Sequence, residues 1–431
     1  MTGDTIAVAT QNVSGSCVLS GSPLAQARAG LDTCVHCGLC LQSCPTYLAL
    51  EDENDSPRGR IVLMHSVLDG ELSPADVDVQ RHISRCLGCR ACETVCPSGV
   101  PYGHLLEATR ATIGASRRLP LIARIILWIF AHPLPLRVAM VASRLLAATP
   151  LPTLAAKLSS RYGFAMAMLA STEFPLERGE YTPTVTGERG SVALLRGCVM
   201  EGLFTDTNRA TERVLTHNGY RMVSASGQRC CGALHAHAGD LNTARTLARH
   251  NIAAFETSGA TYIVTNAAGC GALLKEYGYL LRDDEAWRGR AEAFSSTIRD
   301  VSELLAEAGP RSGGPLPFRV AYDAPCHLQH AQRVTSPPVQ MLEAIPDLQL
   351  VPLQDWDQCC GSAGIYNLVE PELSDAVLAR KLANVHASGA ALVASGNPGC
   401  LMQIGAGLLR ADMKARAVHP VDLLDASYAA L

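Results

Sequence analysis

The chain has 431 residues, a net charge of −4 and 48% hydrophobic residues. That length supports several domains with cores of their own, and the near-neutral charge offers no electrostatic footprint for nucleic acid. Seventeen cysteines in so long a chain do not fit a small secreted disulfide scaffold; they point to metal ligation in a reducing compartment.

Residues 1–30 read as a flexible lead-in, rich in Ser, Thr and Gly, without the charged and apolar regions of a signal peptide. Cys17 lies there alone and reads as a spare thiol.

Residues 31–110 carry two strings of the form C-x-x-C-x-x-C-x-x-x-C-P. The first is Cys34, Cys37, Cys40, Cys44 and Pro45; the second is Cys86, Cys89, Cys92, Cys96 and Pro97. This is the ligand string of a [4Fe–4S] cluster, and in paired strings the fourth cysteine of each closes the other cluster. Cys34, Cys37, Cys40 and Cys96 are thus the expected ligands of one cluster, and Cys86, Cys89, Cys92 and Cys44 those of the other. Two-residue gaps let successive sulfurs point inward from one turn. Zinc favours two separated C-x-x-C pairs and fits the full strings poorly. Between the strings, Arg60–Leu68 and Gln80–Arg85 read as short helices. The expected domain is therefore all-helical and not the compact βαβ ferredoxin.

Residues 111–185 read as a basic, apolar helical linker. From 108 to 172 there is no Asp or Glu, against eight basic residues: Arg110, Arg117, Arg118, Arg124, Arg137, Arg144, Lys157 and Arg161. Leu121–Phe130 is strongly apolar, but Arg124 and His132-Pro133 interrupt it before it reaches the ~18 residues of a membrane span. A basic amphipathic helix meets a membrane surface or a partner; a plain linker with solvated arginines is the competing reading.

From about residue 186 the pattern becomes α/β. Apolar runs at Ser191–Leu195, Tyr220–Ser224 and Thr261–Thr265 precede Cys198, Cys230-Cys231-Gly232 and Cys270, with helical stretches at Asn208–His217 and Leu241–Ser258. The scheme repeats: Phe318–Tyr322, Leu348–Pro352 and Ala390–Ala394 precede Cys326, Cys359-Cys360-Gly361 and Cys400. Equivalent cysteines lie 128, 129 and 130 residues apart, so the unit is duplicated, over 186–310 and 315–431. Strand C-termini of a parallel sheet share one edge. Cys198, Cys230, Cys231 and Cys270 should therefore converge, and Cys326, Cys359, Cys360 and Cys400 likewise. Four thiolates in reach of one another suit a further iron–sulfur cluster or zinc better than a strained disulfide between neighbours. Gly232, Gly269, Gly361 and Gly399 are expected to permit tight backbone beside these sites. His235, His237, His327 and His330 lie nearby as candidate ligands or proton relays, with polar loop roles as the plainer reading. For Lys275, Tyr277 and Asp323 surface roles are expected. No P-loop is visible and no Gly-x-Gly-x-x-Gly follows a strand, so no flavin or nicotinamide site is expected on this chain.

Several words along the chain carry a resemblance: Cys34-Val-His-Cys-Gly-Leu-Cys40, Pro57-Arg-Gly-Arg-Ile61, Cys86-Leu-Gly-Cys-Arg-Ala-Cys92, Leu328-Gln-His-Ala-Gln332 and Cys359-Cys-Gly-Ser-Ala-Gly364. Across roughly residues 34 to 400 the chain resembles the iron–sulfur subunits of glycolate oxidase. It also resembles those of anaerobic glycerol-3-phosphate dehydrogenase and of lactate-utilisation systems, and the glycolate oxidase subunits fit best. The resemblance implies a subunit with no catalytic activity of its own. It would take electrons from an FAD-bearing partner that oxidises glycolate to glyoxylate and pass them toward a quinone-type acceptor. The implied place is the cytoplasm, or the cytoplasmic face of the inner membrane as a peripheral protein. The alternatives are the same relay in a glycerol-3-phosphate or lactate dehydrogenase, or a disulfide or quinone reductase acting at Cys-Cys-Gly. The heterodisulfide-reductase unit carries a further cysteine where this chain has Leu273 and Gln403, a departure that argues against disulfide chemistry.

Overall fold

The computed structural model describes residues 19–116, 119–172 and 181–431; Cys17, Arg117 and Arg118 lie outside the described residues. The first domain is helical, as its spacing predicted. Its longer helices are Pro57–Leu68, Val77–Ser84 and Tyr102–Gly114. Helix Pro57–Leu68 starts where Pro57 presets φ and the Ser56 hydroxyl accepts from Gly59 N–H at 2.9 Å. Its Ile61 and Met64 bury against Ile83, Leu105 and Leu31. The lead-in expected over 1–30 does not reach its stated end. Helices Pro23–Gln26 and Arg28–Leu31 pack on Tyr102–Gly114, with Leu24 fully buried and its N–H given to Thr112 Oγ1 at 3.1 Å. Burying that leucine is worth about 1.5–3 kcal/mol, enough to hold a short helix that has no stability alone.

The linker forms helices Leu121–Ala131, Pro133–Ala147, Leu151–Ala155 and Arg161–Ala170. Pro133 cannot continue the preceding helix, and the first two turn by 108° at this point. No single described helix is long and apolar enough to cross a membrane, although this bent pair passes by length and composition.

The remainder is two parallel sheets. β1 (Ser191–Leu194), β2 (Arg221–Val223), β3 (Tyr262–Thr265) and β4 (Ile298–Asp300) are ordered β2-β1-β3-β4. β5 (Arg319–Tyr322), β6 (Gln349–Val351), β7 (Leu392–Ala394) and β8 (Arg416–Val418) repeat that order as β6-β5-β7-β8. The six expected strands are present. β4 and β8 were not expected; each is a three-residue edge strand, paired to β3 and to β7 respectively. The two sheets share one core, in which Val192, Leu194 and Val264 join Val320, Tyr322 and Leu392. Helix Pro420–Ala429 of the second unit packs on Thr205–His217 of the first. Thr207 donates to Asp422 at 2.9 Å, and Arg213 pairs with Asp425. The duplicated units are thus one body.

Candidate metal centre

In the helical domain the two cysteine strings interleave. One cavity, of about 420 Å³, is lined by Cys34, Cys37, Cys40 and Cys96. A second, of about 290 Å³, is lined by Cys44, Cys86, Cys89 and Cys92. Each set therefore combines three cysteines of one string with the fourth of the other. Cys92 lines both cavities, which makes them neighbours across one side chain. The loops bend sharply: Gly38 has φ +83° and Gly88 has φ +64°, where glycine costs nothing. Cys44 caps helix Pro45–Leu50, so the proline after the string carries the chain away from the cavity.

Backbone and side-chain donors reach these sulfurs. Gly88 N–H lies 3.4 Å from Cys86 Sγ, Val100 N–H 3.5 Å from Cys96 Sγ, and the Tyr102 hydroxyl 3.8 Å from Cys86 Sγ. Donors of this kind favour negative sulfur and set cluster potentials. Beneath the second cavity Arg60 is fully buried. It donates to His82 O at 2.7 Å, to Thr46 Oγ1 at 3.1 Å and to Asp55 Oδ1 at 3.1 Å. Burial opposes its charge, but Cys86, Tyr102 and Cys44 hold it protonated. Arg60 and Asp55 were missed as site residues; the only signal was the Pro57-Arg-Gly-Arg-Ile61 word. The cavities suit a polynuclear iron site. Burial pushes the Cys89 and Cys92 thiols well up, so as free groups they would be neutral. Bound metal cations supply the charge that lets four buried thiolates share one cavity.

In the α/β body the cysteines gather at the strand C-termini, as expected. Cys198 Sγ is 3.7 Å from Cys230 Sγ, and Cys231 Sγ is 3.2 Å from Cys270 Sγ. In the second unit the contacts run from Cys326 to Cys359, on to Cys360 and then to Cys400. Hydrogen bonds from Cys198 and from Cys326 pull the Cys230 and Cys359 thiols well down. Their partners Cys198, Cys231, Cys326 and Cys360 are pushed up. Gly232 (φ +90°) and Gly361 (φ +88°) make the turn after the paired cysteines; a Cβ on Gly361 would meet Ser374 O at 2.7 Å.

The four candidate histidines join domains, and none has a hydrogen bond to a cysteine among the described residues. His235 Nε2 is 3.0 Å from Leu127 O, His237 pairs with Glu107 at 2.9 Å, and His327 Nε2 is 3.1 Å from Gly88 O. His330 lies between Thr94 Oγ1 at 2.9 Å and Asp357 O at 3.1 Å. Burial holds His327 down to about 4, so it is neutral at pH 7. The surface roles expected for Lys275, Tyr277 and Asp323 need correction for the last two. Tyr277 is fully buried and donates to Cys231 O at 2.7 Å, under the paired cysteines. Asp323 is buried with Lys381, Nζ to Oδ1 2.7 Å. Lys275 is partly exposed and pairs with Glu303 at 2.6 Å.

Comparison with known proteins accords with this arrangement. The family model for a 4Fe-4S dicluster domain matches residues 30–100, and the model for a cysteine-rich domain matches twice, at 192–275 and 320–405. The helical domain is accordingly an iron–sulfur domain of the [4Fe–4S] type. The chain is 40% identical over 412 residues to a probable glycolate oxidase iron-sulfur subunit of Bacillus subtilis (strain 168), covering 91% of this chain and 92% of that one. It is 34% identical over 377 residues to the glycolate oxidase iron-sulfur subunit of Escherichia coli (strain K12), covering 86% and 88%. Lactate utilization protein A of Exiguobacterium sp. (strain ATCC BAA-1283 / AT1b) is 28% identical over 237 residues, 54% of this chain and 97% of the relative. With this length of match, the two cysteine-lined cavities and the duplicated Cys-Cys-Gly body, the chain belongs to the family of glycolate oxidase iron–sulfur subunits.

Proposed function

We propose that this chain is the electron-relay subunit of a flavin-dependent glycolate dehydrogenase. In this reading Cys34, Cys37, Cys40 and Cys96 hold one [4Fe–4S] cluster, and Cys86, Cys89, Cys92 and Cys44 hold the other. The observation that carries the reading is the pair of adjacent cavities, each holding three cysteines of one string and the fourth of the other, with Cys92 on the wall between them. Clusters bound there supply one-electron chemistry. The chain's own part is to hold eight thiolates, to offer backbone N–H donors to their sulfurs, and to set the buried Arg60 charge beside the second cavity. Cys37 is exposed, and Val35 (66% exposed) and Leu39 (59%) stand on either side of it. That apolar rim is where the flavoprotein partner, which oxidises glycolate to glyoxylate on its own FAD, delivers electrons. Each Cys-Cys-Gly site holds a further iron–sulfur cluster.

The outlet lies at a lipid surface, where a quinone is the acceptor. Helix Pro133–Ala147 has no buried residue. Leu134, Val138, Val141 and Leu145 lie exposed along one stripe, and Leu121, Ile125 and Trp128 continue it on the helix before. With no acidic residue from 108 to 172, and Arg124 and Arg137 exposed beside the stripe, this face suits an anionic bilayer as a peripheral contact.

The experiment is co-purification with the flavoprotein partners, followed by metal counting and turnover. The reading expects twelve or more irons per chain, four for each cluster. It also expects glycolate-driven acceptor reduction only when the partners are present. Eight irons with zinc would make the Cys-Cys-Gly body structural, and glycolate oxidation by the chain alone would refute the relay. Partners that oxidise lactate or glycerol 3-phosphate instead would keep the relay and change the substrate.

A further inference from the structure

The two Cys-Cys-Gly sites are not equivalent in their surroundings. Cys89, a wall of the second cavity, packs into one apolar cluster with Cys326 and Cys359, closed by Leu87 and Tyr366. The second unit grips the same loop twice more: Tyr366 donates to Arg85 O at 2.7 Å, and His327, next to Cys326, reaches Gly88 O at 3.1 Å. The first unit reaches this loop and the helix after it through side chains other than its cysteines: Arg90 with Glu276 at 2.5 Å, Arg110 donating to His237 O at 2.8 Å, the His104 ring stacked 3.6 Å from Tyr279, and His237 with Glu107. Among the described residues its four cysteines share no apolar cluster with a cysteine of that domain.

The units are instead joined to each other beside their cysteines. Asn397 Nδ2 donates to Cys400 Sγ at 3.4 Å, while its Oδ1 accepts the N–H of Gly269, the neighbour of Cys270, at 3.2 Å. Ala268 N–H to Gly396 O, at 3.1 Å, braces the same junction. One amide thus spans from a sulfur of the second site to the backbone beside a sulfur of the first. The bridge is one-sided: at the 130-residue spacing that relates Cys400 to Cys270, the counterpart of Asn397 is Ala267. On its other side the first unit lies under helix Leu121–Ala131. Phe130 packs into its core, and Leu127 O meets His235.

We propose that the two Cys-Cys-Gly sites are wired in series, the second unit taking each electron from the Cys44, Cys86, Cys89 and Cys92 site and passing it across Asn397 to the first, which is the outlet. The proposal rests on the reading that both sites hold iron–sulfur clusters. At each transfer the donor site is oxidised by one electron and the acceptor site reduced by one; no bond forms or breaks and no proton moves. The order follows from contact. Among the described residues only the second unit brings cysteines against Cys89, and Asn397 is the link between the units that is hydrogen-bonded to a cysteine sulfur. Placing the first unit last sets it beneath the apolar face that carries the lipid reading.

The test uses the complex with its partners and three variants, Cys360→Ser, Cys231→Ser and Asn397→Leu. Iron is counted in each, and electron paramagnetic resonance is recorded on samples frozen at intervals after mixing with glycolate. In Cys231→Ser, the second-unit signal appears at the wild-type rate. In Cys360→Ser, the first-unit signal is lost on that timescale and returns only with a chemical reductant. Asn397→Leu keeps full iron, delays the first-unit signal alone, and lowers the midpoint potential of the second site, because a hydrogen bond to Cys400 sulfur stabilises its reduced state. The Asn397 variant keeps the test decisive if either cysteine variant fails to fold. Twelve or more irons with a first-unit signal at wild-type rate in Cys360→Ser would overturn the series alone. So would an Asn397 variant with unchanged rate and potential. Eight irons in the wild-type chain would overturn the series together with the reading beneath it.

Discussion

Lys381 and Asp323 form a buried ion pair beside the second Cys-Cys-Gly site, each side chain only 2% exposed. Lys381 Nζ also donates to Asp355 O at 2.6 Å, and Ser395 donates to the carboxylate at 3.1 Å. Burial works against the ammonium, yet Asp323 keeps its pKa above the usual lysine value. Lys381→Met leaves the carboxylate in the core with only the serine. Removing one partner of such a pair costs about 3–5 kcal/mol, because the remaining charge is uncompensated. The lost bond to Asp355 adds about 1 kcal/mol. We expect Lys381→Met to lower unfolding stability by about 4 kcal/mol. The double variant Lys381→Met/Asp323→Leu should recover most of it, since apolar replacement of both partners is often neutral. The assay is urea unfolding of the metal-loaded chain, comparing midpoints at unchanged slope. A single-variant cost below about 1 kcal/mol, or a double variant as unstable as the single, would refute the reasoning. The matching positions of the first unit are Asn251 and Leu195, so its site has no such pair.

Other expectations are narrower. His419 gives its Nε2 proton to Asn266 O at 2.8 Å and accepts Val421 N–H at 3.1 Å, and burial holds its pKa down to about 4 from 6.5. A histidine held low is neutral in the fold and gains a proton on unfolding. Its contribution is therefore full above pH 6.5 and drains away as pH falls toward 4. Going from pH 7.5 to 5.5 should cost about 1 kcal/mol that His419→Gln does not lose; equal losses in both proteins would sink this. Gly59→Ala would place a Cβ 2.0 Å from Glu53 O, forcing the loop that carries Asp55 off Arg60. A stability loss of about 1–3 kcal/mol is expected, and an unchanged melting curve would contradict it. Replacing Val35 and Leu39 by Asp should slow reduction by the flavoprotein while leaving the iron count intact; an unchanged rate would remove the docking face. Val138→Glu with Leu145→Glu should abolish flotation with anionic vesicles, and retained flotation would favour the plain linker.

The chain alone determined the local chemistry. A C-x-x-C-x-x-C-x-x-x-C-P string is local, twelve residues long, so which cysteines to group was legible, and the structure gathers them around two cavities. The duplication was legible because insertions had not disturbed the 128- to 130-residue spacing, and six strands because they are apolar runs. β4 and β8 were not: each is a three-residue edge strand, held by pairing with β3 and with β7. Only the tertiary structure decided which parts touch. Asn397 is unremarkable in sequence, and Cys89 reads there only as a cluster ligand; the residues they meet in the other units lie 128 and more than 200 residues away. Tyr277 and Asp323 became core residues because the neighbouring Asn251 and Lys381 satisfy their polar atoms, which no local pattern announces. The linker was legible as basic and apolar, but the stripe from Leu134 to Leu145 was not singled out. That it faces outward, not into the protein, depended on where the rest of the chain packed.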